Sequence, residues 1–213
     1  MTGVNKIMTT SPVIPVLTVD DLASAGPLAL ALSTGGLRVL ELTLRTPVAF
    51  DALKVMVKAA PDAIVGAGTV LDPDALKRAV DAGAKFIVSP GLTKRLARAA
   101  EEADVPLLPG VATATDIMRG LDLGLTRFKF FPAESSGGPA AIKAFAGPFG
   151  TVSFCPTGGI TAKTAPDYLA LANVLCVGGA WVAQAAAIAA GDWTQVTELA
   201  RQAAGLERAN AST

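Results

Sequence analysis

Histidine is missing from all 213 residues. That removes the usual general base, the usual zinc ligand and every Ser-His or Cys-His nucleophile pair. Cysteine is scarce: Cys155 and Cys176 each sit in an apolar run (VSFC and VLCVGG), the setting of buried, reduced thiols. Net charge is absent as well, since 18 basic residues balance 18 acidic ones. Neither a nucleic-acid footprint nor a polybasic membrane patch is expected from that balance. The longest apolar stretch, AWVAQAAAIAAG, is too short and too alanine-rich to span a bilayer. The opening MTGVNKIMTTSPVIPV has no unbroken apolar core after Lys6 and does not read as a secretory signal. The expectation is a soluble, cytoplasmic protein whose chemistry rests on lysine, arginine, carboxylates, hydroxyls or backbone.

What is present is an alternation. Short apolar, β-branched runs fall at 13–19, 38–44, 63–70, 85–90, 105–112, 126–132, 151–159 and 173–179, and alanine-rich segments of helical period lie between them. Their spacing of roughly twenty to twenty-five residues is that of one βα unit. Helix-start chemistry recurs at Pro47, Asp72-Pro73, Thr93, Thr113 and Thr161. Eight such units predict a parallel sheet closed into a (β/α)₈ barrel, one domain over residues 1–213, with the first 12 residues as a short leader packed near one barrel end. An open doubly wound sheet is the rival, weakened because no GxGxxG opens a helix after the first strand. The tail ERANAST is polar and expected to fray.

Polar residues interrupt the strands in a regular way. In the second run Leu40, Leu42 and Leu44 take one face and Glu41, Thr43 and Arg45 the other. If the leucines face the helices, the polar set points into the barrel. The structural alternative is a buried Glu41–Arg45 ion pair with no further role. In the sixth run, FKFFPAE, the same parity sends Phe128 and Phe130 to the helix shell and turns Arg127, Lys129 and Phe131 inward, toward the barrel mouth. A lysine among phenylalanines either reaches solvent along its stem or serves as an amine kept ready to lose its proton. An inward lysine beside an inward carboxylate, without histidine, suits attack on a carbonyl to form an imine.

The seventh and eighth runs end in Gly158-Gly159 and Gly178-Gly179. Glycine pairs expose backbone N–H groups to an anion, and the loops after these two strands are the usual phosphate site of a barrel. Thr69, in GAGTV, offers a hydroxyl near glycines, or is a plain strand residue. A phosphate-binding isomerase and a non-catalytic scaffold barrel stay open on these grounds. The first would ordinarily require a histidine or paired acid-base set, and the second would make Lys129 an accident of packing.

The motifs VLELTLR, IVGAGTV, IVSPGLT, FKFFPAE, FCPTGGI and CVGGAW, in order from about residue 12 to 195, resemble those of the 2-keto-3-deoxy-6-phosphogluconate (KDPG) aldolases. The resemblance implies a metal-free, cofactor-free class I aldolase, usually a homotrimer. It would split the phosphorylated keto-acid to pyruvate and glyceraldehyde 3-phosphate, and commonly 4-hydroxy-2-oxoglutarate (KHG) to pyruvate and glyoxylate. It implies that Lys129 is the Schiff-base lysine and Glu41 the proton carrier. Arg45 and Thr69 would hold the pyruvyl carboxylate, Pro90 and Phe131 would wall the imine, and Thr157 would lie near the substrate C4. Gly158, Gly159, Gly178 and Gly179 would cradle the phosphate. Relatives often carry serine where Ala180 stands, so one phosphate hydrogen bond is expected to be missing. The phosphogalactonate-cleaving branch is the near alternative, and it tends to have valine at the position of Thr157.

Overall fold

The structure, a computed structural model, describes residues 2–209. Most of the expected tail, 210–213, therefore lies outside the described residues. The strands are β1 (Val13–Leu17), β2 (Val39–Thr43), β3 (Ile64–Gly68), β4 (Ile87–Val88), β5 (Leu107–Leu108), β6 (Gly110–Val111), β7 (Arg127–Phe130), β8 (Ser153–Pro156) and β9 (Val177–Gly179). Between them run α2 (Leu22–Thr34), α3 (Ala49–Ala59), α4 (Pro73–Asp81), α5 (Lys94–Glu102), α6 (Ala114–Asp122), α7 (Gly138–Phe145) and α8 (Ala165–Leu169). A helix α1 (Thr2–Thr10) precedes them, and α9 (Ala185–Ala190) and α10 (Trp193–Ala204) follow.

All described strand pairs are parallel, in the orders β5-β4-β3-β2-β1-β9 and β6-β7-β8. The two pieces are one curled sheet. Pro109, which has no N–H to give, splits β5 from β6 within a single stave, yet its carbonyl still accepts from Lys129 N at 2.9 Å. On the other side, bridges Phe154↔Val174 and Thr157↔Gly178 join β8 to β9. Eight staves, each followed by helix, make the (β/α)₈ barrel.

The capping residues act largely as their chemistry dictates. Asp72 accepts from Ala75 N at 2.8 Å and Thr93 from Leu96 N at 3.2 Å. Thr113 and Asp116 form a reciprocal capping box. Burial opposes ionisation of Asp116, but hydrogen bonds from the Thr113 hydroxyl and the backbone of Ala112 and Thr113, with Arg119 nearby, hold its carboxyl below the usual range. Two expected starts are displaced. α3 opens at Ala49 behind Val48 without a side-chain cap at Pro47, and Thr161 braces a turn through Thr164, with α8 beginning only at Ala165.

Alternation sorts the core into two layers. Leu40, Leu42, Phe128, Phe130 and Phe154 belong to the shell between strands and helices, where the Phe130 ring meets Phe145 and Phe154 edge-on at 6.1 and 6.2 Å. Ile14, Val39, Phe86, Val88, Leu108, Cys155 and Cys176 fill the barrel interior. The leader packs against that interior, as α1, which adds Ile7 and Met8 to the cluster. One expectation is corrected here. Arg127 does not reach the barrel mouth; it lies at the opposite end, where its Nε donates to Asn5 Oδ1 of α1 at 3.0 Å. Strand direction explains this, because Arg127 opens β7 and the mouth lies past its last residue.

Candidate active site

Lys129 and Glu41 meet inside the barrel. Nζ of Lys129 lies 3.0 Å from Oε1 and 3.4 Å from Oε2 of Glu41, and the two residues are only 4% and 3% exposed. The structural alternative, a Glu41–Arg45 ion pair, is not what forms: the carboxylate's partner is the lysine, and Arg45 is exposed. Geometry decides this, since Arg45 sits beyond the end of β2, above the level at which Glu41 points across the barrel. The amine ends buried on Glu41 rather than running out to solvent along its stem, which removes the snorkelling option. A carboxylate at 3.0 Å is within reach of the proton that the amine must shed before it attacks a carbonyl.

Gly68 makes that pairing possible. A Cβ on Gly68 would lie 2.2 Å from Glu41 Oε1 and 2.6 Å from its Cγ, so the carboxylate lies flat over a bare stretch of β3. The sequence reading passed over this residue, although the GAG of β3, a strand with two glycines, signals close approach. Thr69 follows directly. Its φ of +58° is unusual for a β-branched residue, and its Oγ1 accepts from Arg45 Nε at 2.9 Å. Because that oxygen accepts, its own proton remains available, and the terminal N–H groups of Arg45 meet no acceptor among the described residues. Together they can donate to one anion.

The other residues sit at the ends of β4, β7, β8 and β9. Pro90 follows β4, and its carbonyl abuts Gly110, where a Cβ would come within 2.1 Å of the oxygen. Gly110 is the cross-strand partner of Lys129. Phe131 holds its ring centroid 5.4 Å from Lys129 Nζ. Thr157 is buried and donates its N–H to Phe130 O at 2.9 Å, on the stave beside Lys129. Gly178 is bridged to Thr157.

The two Gly-Gly pairs thus end neighbouring staves. Gly158 and Gly159 need glycine for their backbone, with φ of +107° and +80°. Gly178 and Gly179 have a packing reason instead: a Cβ would strike Thr157 Oγ1 at 2.2 Å and the Trp181 ring at 1.8 Å. Ala180, next in line, is exposed. Both cysteines are free and buried, and burial, with Cys155 alongside, pushes the Cys176 thiol up, keeping it protonated.

Elsewhere, a groove of about 490 Å³ runs between α2 and α10, lined by Pro27, Leu30, Trp193 and Arg201 among others; it holds none of these groups. Among the described residues no set of His, Cys, Asp and Glu is grouped to hold a metal ion, and no helix is long and apolar enough to cross a membrane.

This arrangement, a buried amine against a carboxylate with anion donors at the rim, coincides with relationships along the whole chain. The chain is 54% identical over 202 residues, 95% of each chain, to the KHG/KDPG aldolase of Escherichia coli K12. Its fold is similar to the crystal structure of the KDPG aldolase of Zymomonas mobilis ZM4 with 3-phosphoglycerate, with a TM-score of 0.94 and 51% identity over 100% of both chains. It is also similar to the KDPG aldolase of Legionella pneumophila with pyruvate captured as a covalent carbinolamine intermediate, at 47% identity and a TM-score of 0.91 over 93% of this chain and 97% of that one. Residues 4–199 match the aldolase family described as KDPG and KHG aldolase, and the chain belongs to that family.

Proposed function

We propose that this protein cleaves KDPG to pyruvate and glyceraldehyde 3-phosphate through an imine on Lys129, and KHG to pyruvate and glyoxylate by the same route. The observation that carries the reading is the Lys129–Glu41 contact at 3.0 Å in a buried site. The covalent carbinolamine of pyruvate in the Legionella relative supports it, as does the 3-phosphoglycerate in the Zymomonas one.

The amine of Lys129, having passed a proton to Glu41, attacks C2 of the keto-acid to give a carbinolamine. Glu41 returns that proton to the carbinolamine hydroxyl, which leaves as water, so a protonated imine remains and Glu41 is ionised again. Removal of the C4 hydroxyl proton, by Glu41 through water, breaks the C3–C4 bond; the electron pair moves onto the imine nitrogen and the aldehyde departs. The resulting enamine takes a proton at C3, water returns to C2, and pyruvate leaves as the amine re-forms. Arg45 and Thr69 hold the carboxylate, so C2 is presented to Lys129 in a fixed pose. Pro90 and Phe131 keep water from the imine, Thr157 lies beside C4, and the turns at Gly158-Gly159 and Gly178-Gly179 receive the phosphate. Thr157 favours the gluconate over the galactonate epimer. Assembly as a homotrimer and a cytoplasmic location accord with the family resemblance.

Pyruvate with borohydride tests the nucleophile. One reduced pyruvyl adduct on Lys129, abolished in Lys129→Ala, is the expected mass spectrum; labelling of Lys143 or Lys163 instead, or none, would refute it.

A further inference from the structure

Tyr168 is the only tyrosine in the chain and is wholly buried on α8 in an otherwise apolar environment. Among the described residues its hydroxyl has one hydrogen-bond partner: it donates to Glu134 Oε1 at 2.7 Å. Glu134 itself is exposed, in the loop that follows β7. Its backbone N–H donates to Gly158 O at 3.1 Å, and the preceding Ala133 N donates to Thr157 O at 2.8 Å. Its stem lies so close over Gly159 that a Cβ there would come 2.6 Å from Glu134 Cγ and 2.8 Å from its Cβ. One side chain thus spans the β7 loop, the Gly158-Gly159 turn and α8. Burial pushes the Tyr168 phenol up, with Glu134 adding to the effect, so the hydroxyl keeps its proton to donate.

A carboxylate beside a turn that receives a dianion is an unfavourable neighbour unless something fixes its direction. We propose that Tyr168 is a positioning residue for phosphate recognition: by holding Glu134 against α8 it turns the negative charge away from the Gly158-Gly159 turn while the glutamate stem braces that turn. The inference rests on the reading that this turn receives the substrate's phosphate. Freed of its hydroxyl partner, the carboxylate swings over the same short stem toward the anion, and the loss falls on phosphate affinity. The imine chemistry on Lys129, which points into the barrel from β7 ahead of that loop, is not touched by this contact.

The test compares KM for KDPG with KM for the unphosphorylated KHG. Tyr168→Phe removes one oxygen and leaves the core ring in place; it should raise the KDPG/KHG ratio of KM about five- to tenfold, with kcat on KDPG moving much less. Glu134→Gln, an exposed change that keeps an acceptor for the tyrosine and drops the charge, should leave the ratio no higher than wild type. The double variant should return most of the way to wild type, because the charge that does the harm is gone. A Tyr168→Phe ratio unchanged from wild type, KM values that rise together on both substrates, or a double variant as poor as Tyr168→Phe would each overturn the proposal and leave Tyr168 a core residue. Gly159→Val separates the two readings. If it leaves the ratio at the wild-type value, the phosphate binds elsewhere and the functional reading of this turn fails first; if it raises the ratio while Tyr168→Phe does not, only the tyrosine proposal fails.

Discussion

Gly68→Ala adds one methyl group, and the structure shows where it goes. The new carbon would lie 2.2 Å from Glu41 Oε1, 2.6 Å from Cγ and 2.8 Å from Cδ. Non-bonded carbon settles at about 3.5 Å or more from its neighbours, so the carboxylate must retreat by about 1 Å. It cannot retreat to water, since the Glu41 side chain is 4% exposed, and every direction away from β3 changes its 3.0 Å contact with Lys129. Gly68 is not among the glycines with positive φ, so alanine brings no backbone strain and the effect is steric alone. Overpacking of this kind costs about 1–3 kcal/mol, which in a chain of this size lowers Tm by roughly 3–10 °C. The larger effect is on turnover, because a 1 Å displacement of a proton carrier is worth about 10²-fold. Steady-state kcat on KDPG and the rate of borohydride trapping with pyruvate measure it, and a thermal scan checks the fold. A Gly68→Ala protein that melts within a few degrees of wild type and turns over within threefold of it would refute the claim that Glu41 must lie where it does.

Two further outcomes follow from the same geometry. Glu41→Gln keeps size and hydrogen bonding but carries no proton, so pyruvate should still be trapped on Lys129, though more slowly because the amine must pass its proton to water, while deuterium exchange at the pyruvate methyl and kcat fall together by about 10²–10⁴-fold; exchange at the wild-type rate would make Glu41 only the lysine's ion-pair partner. Ala180→Ser adds a donor beside the Gly178-Gly179 turn and should lower KM for KDPG about tenfold, with much less change for KHG and nearly constant kcat; equal effects on both substrates would mean the phosphate does not bind there.

The fold was legible because alternation has a physical cause that a single chain carries openly. Leu40 and Leu42 outside and Glu41 inside follow from period two, and the same parity put Lys129 within the barrel. What crosses between staves was not legible. Lys129 and Glu41 are separated by 88 positions, so nothing local could choose between Lys129 and Arg45 as the partner of Glu41. Arg127 has inward parity like Lys129, but parity says nothing of height along the axis, and two residues are enough to separate the α1 end from the site. α1 itself carried a signal that went unread: Val4, Ile7 and Met8 stand at i, i+3 and i+4, the spacing of one helix face. The Glu134–Tyr168 link joins the loop after β7 to α8 through side chains alone and leaves no periodic trace.

Thr69 is the case in which sequence and structure pull apart most, and it yields the last prediction. A threonine in GAGTV reads as the end of a strand, yet its φ is +58°, a region β-branched residues avoid. Holding it there costs about 1–3 kcal/mol, while glycine at the same position would lose about 0.4–1 kcal/mol through the greater freedom of the unfolded chain. Thr69→Gly should therefore leave Tm unchanged or raise it by a few degrees. It also removes the hydroxyl that accepts from Arg45 Nε at 2.9 Å and keeps a proton for the substrate's carboxylate. KDPG and KHG both carry that carboxylate, so KM should rise for both, by about tenfold for one charge-assisted hydrogen bond. This separates Thr69 from the phosphate-side residues, whose variants should distinguish the two substrates. A stable Thr69→Gly protein with wild-type KM on both would show that the strained threonine holds no substrate, and a markedly less stable one would show that its backbone is not strained.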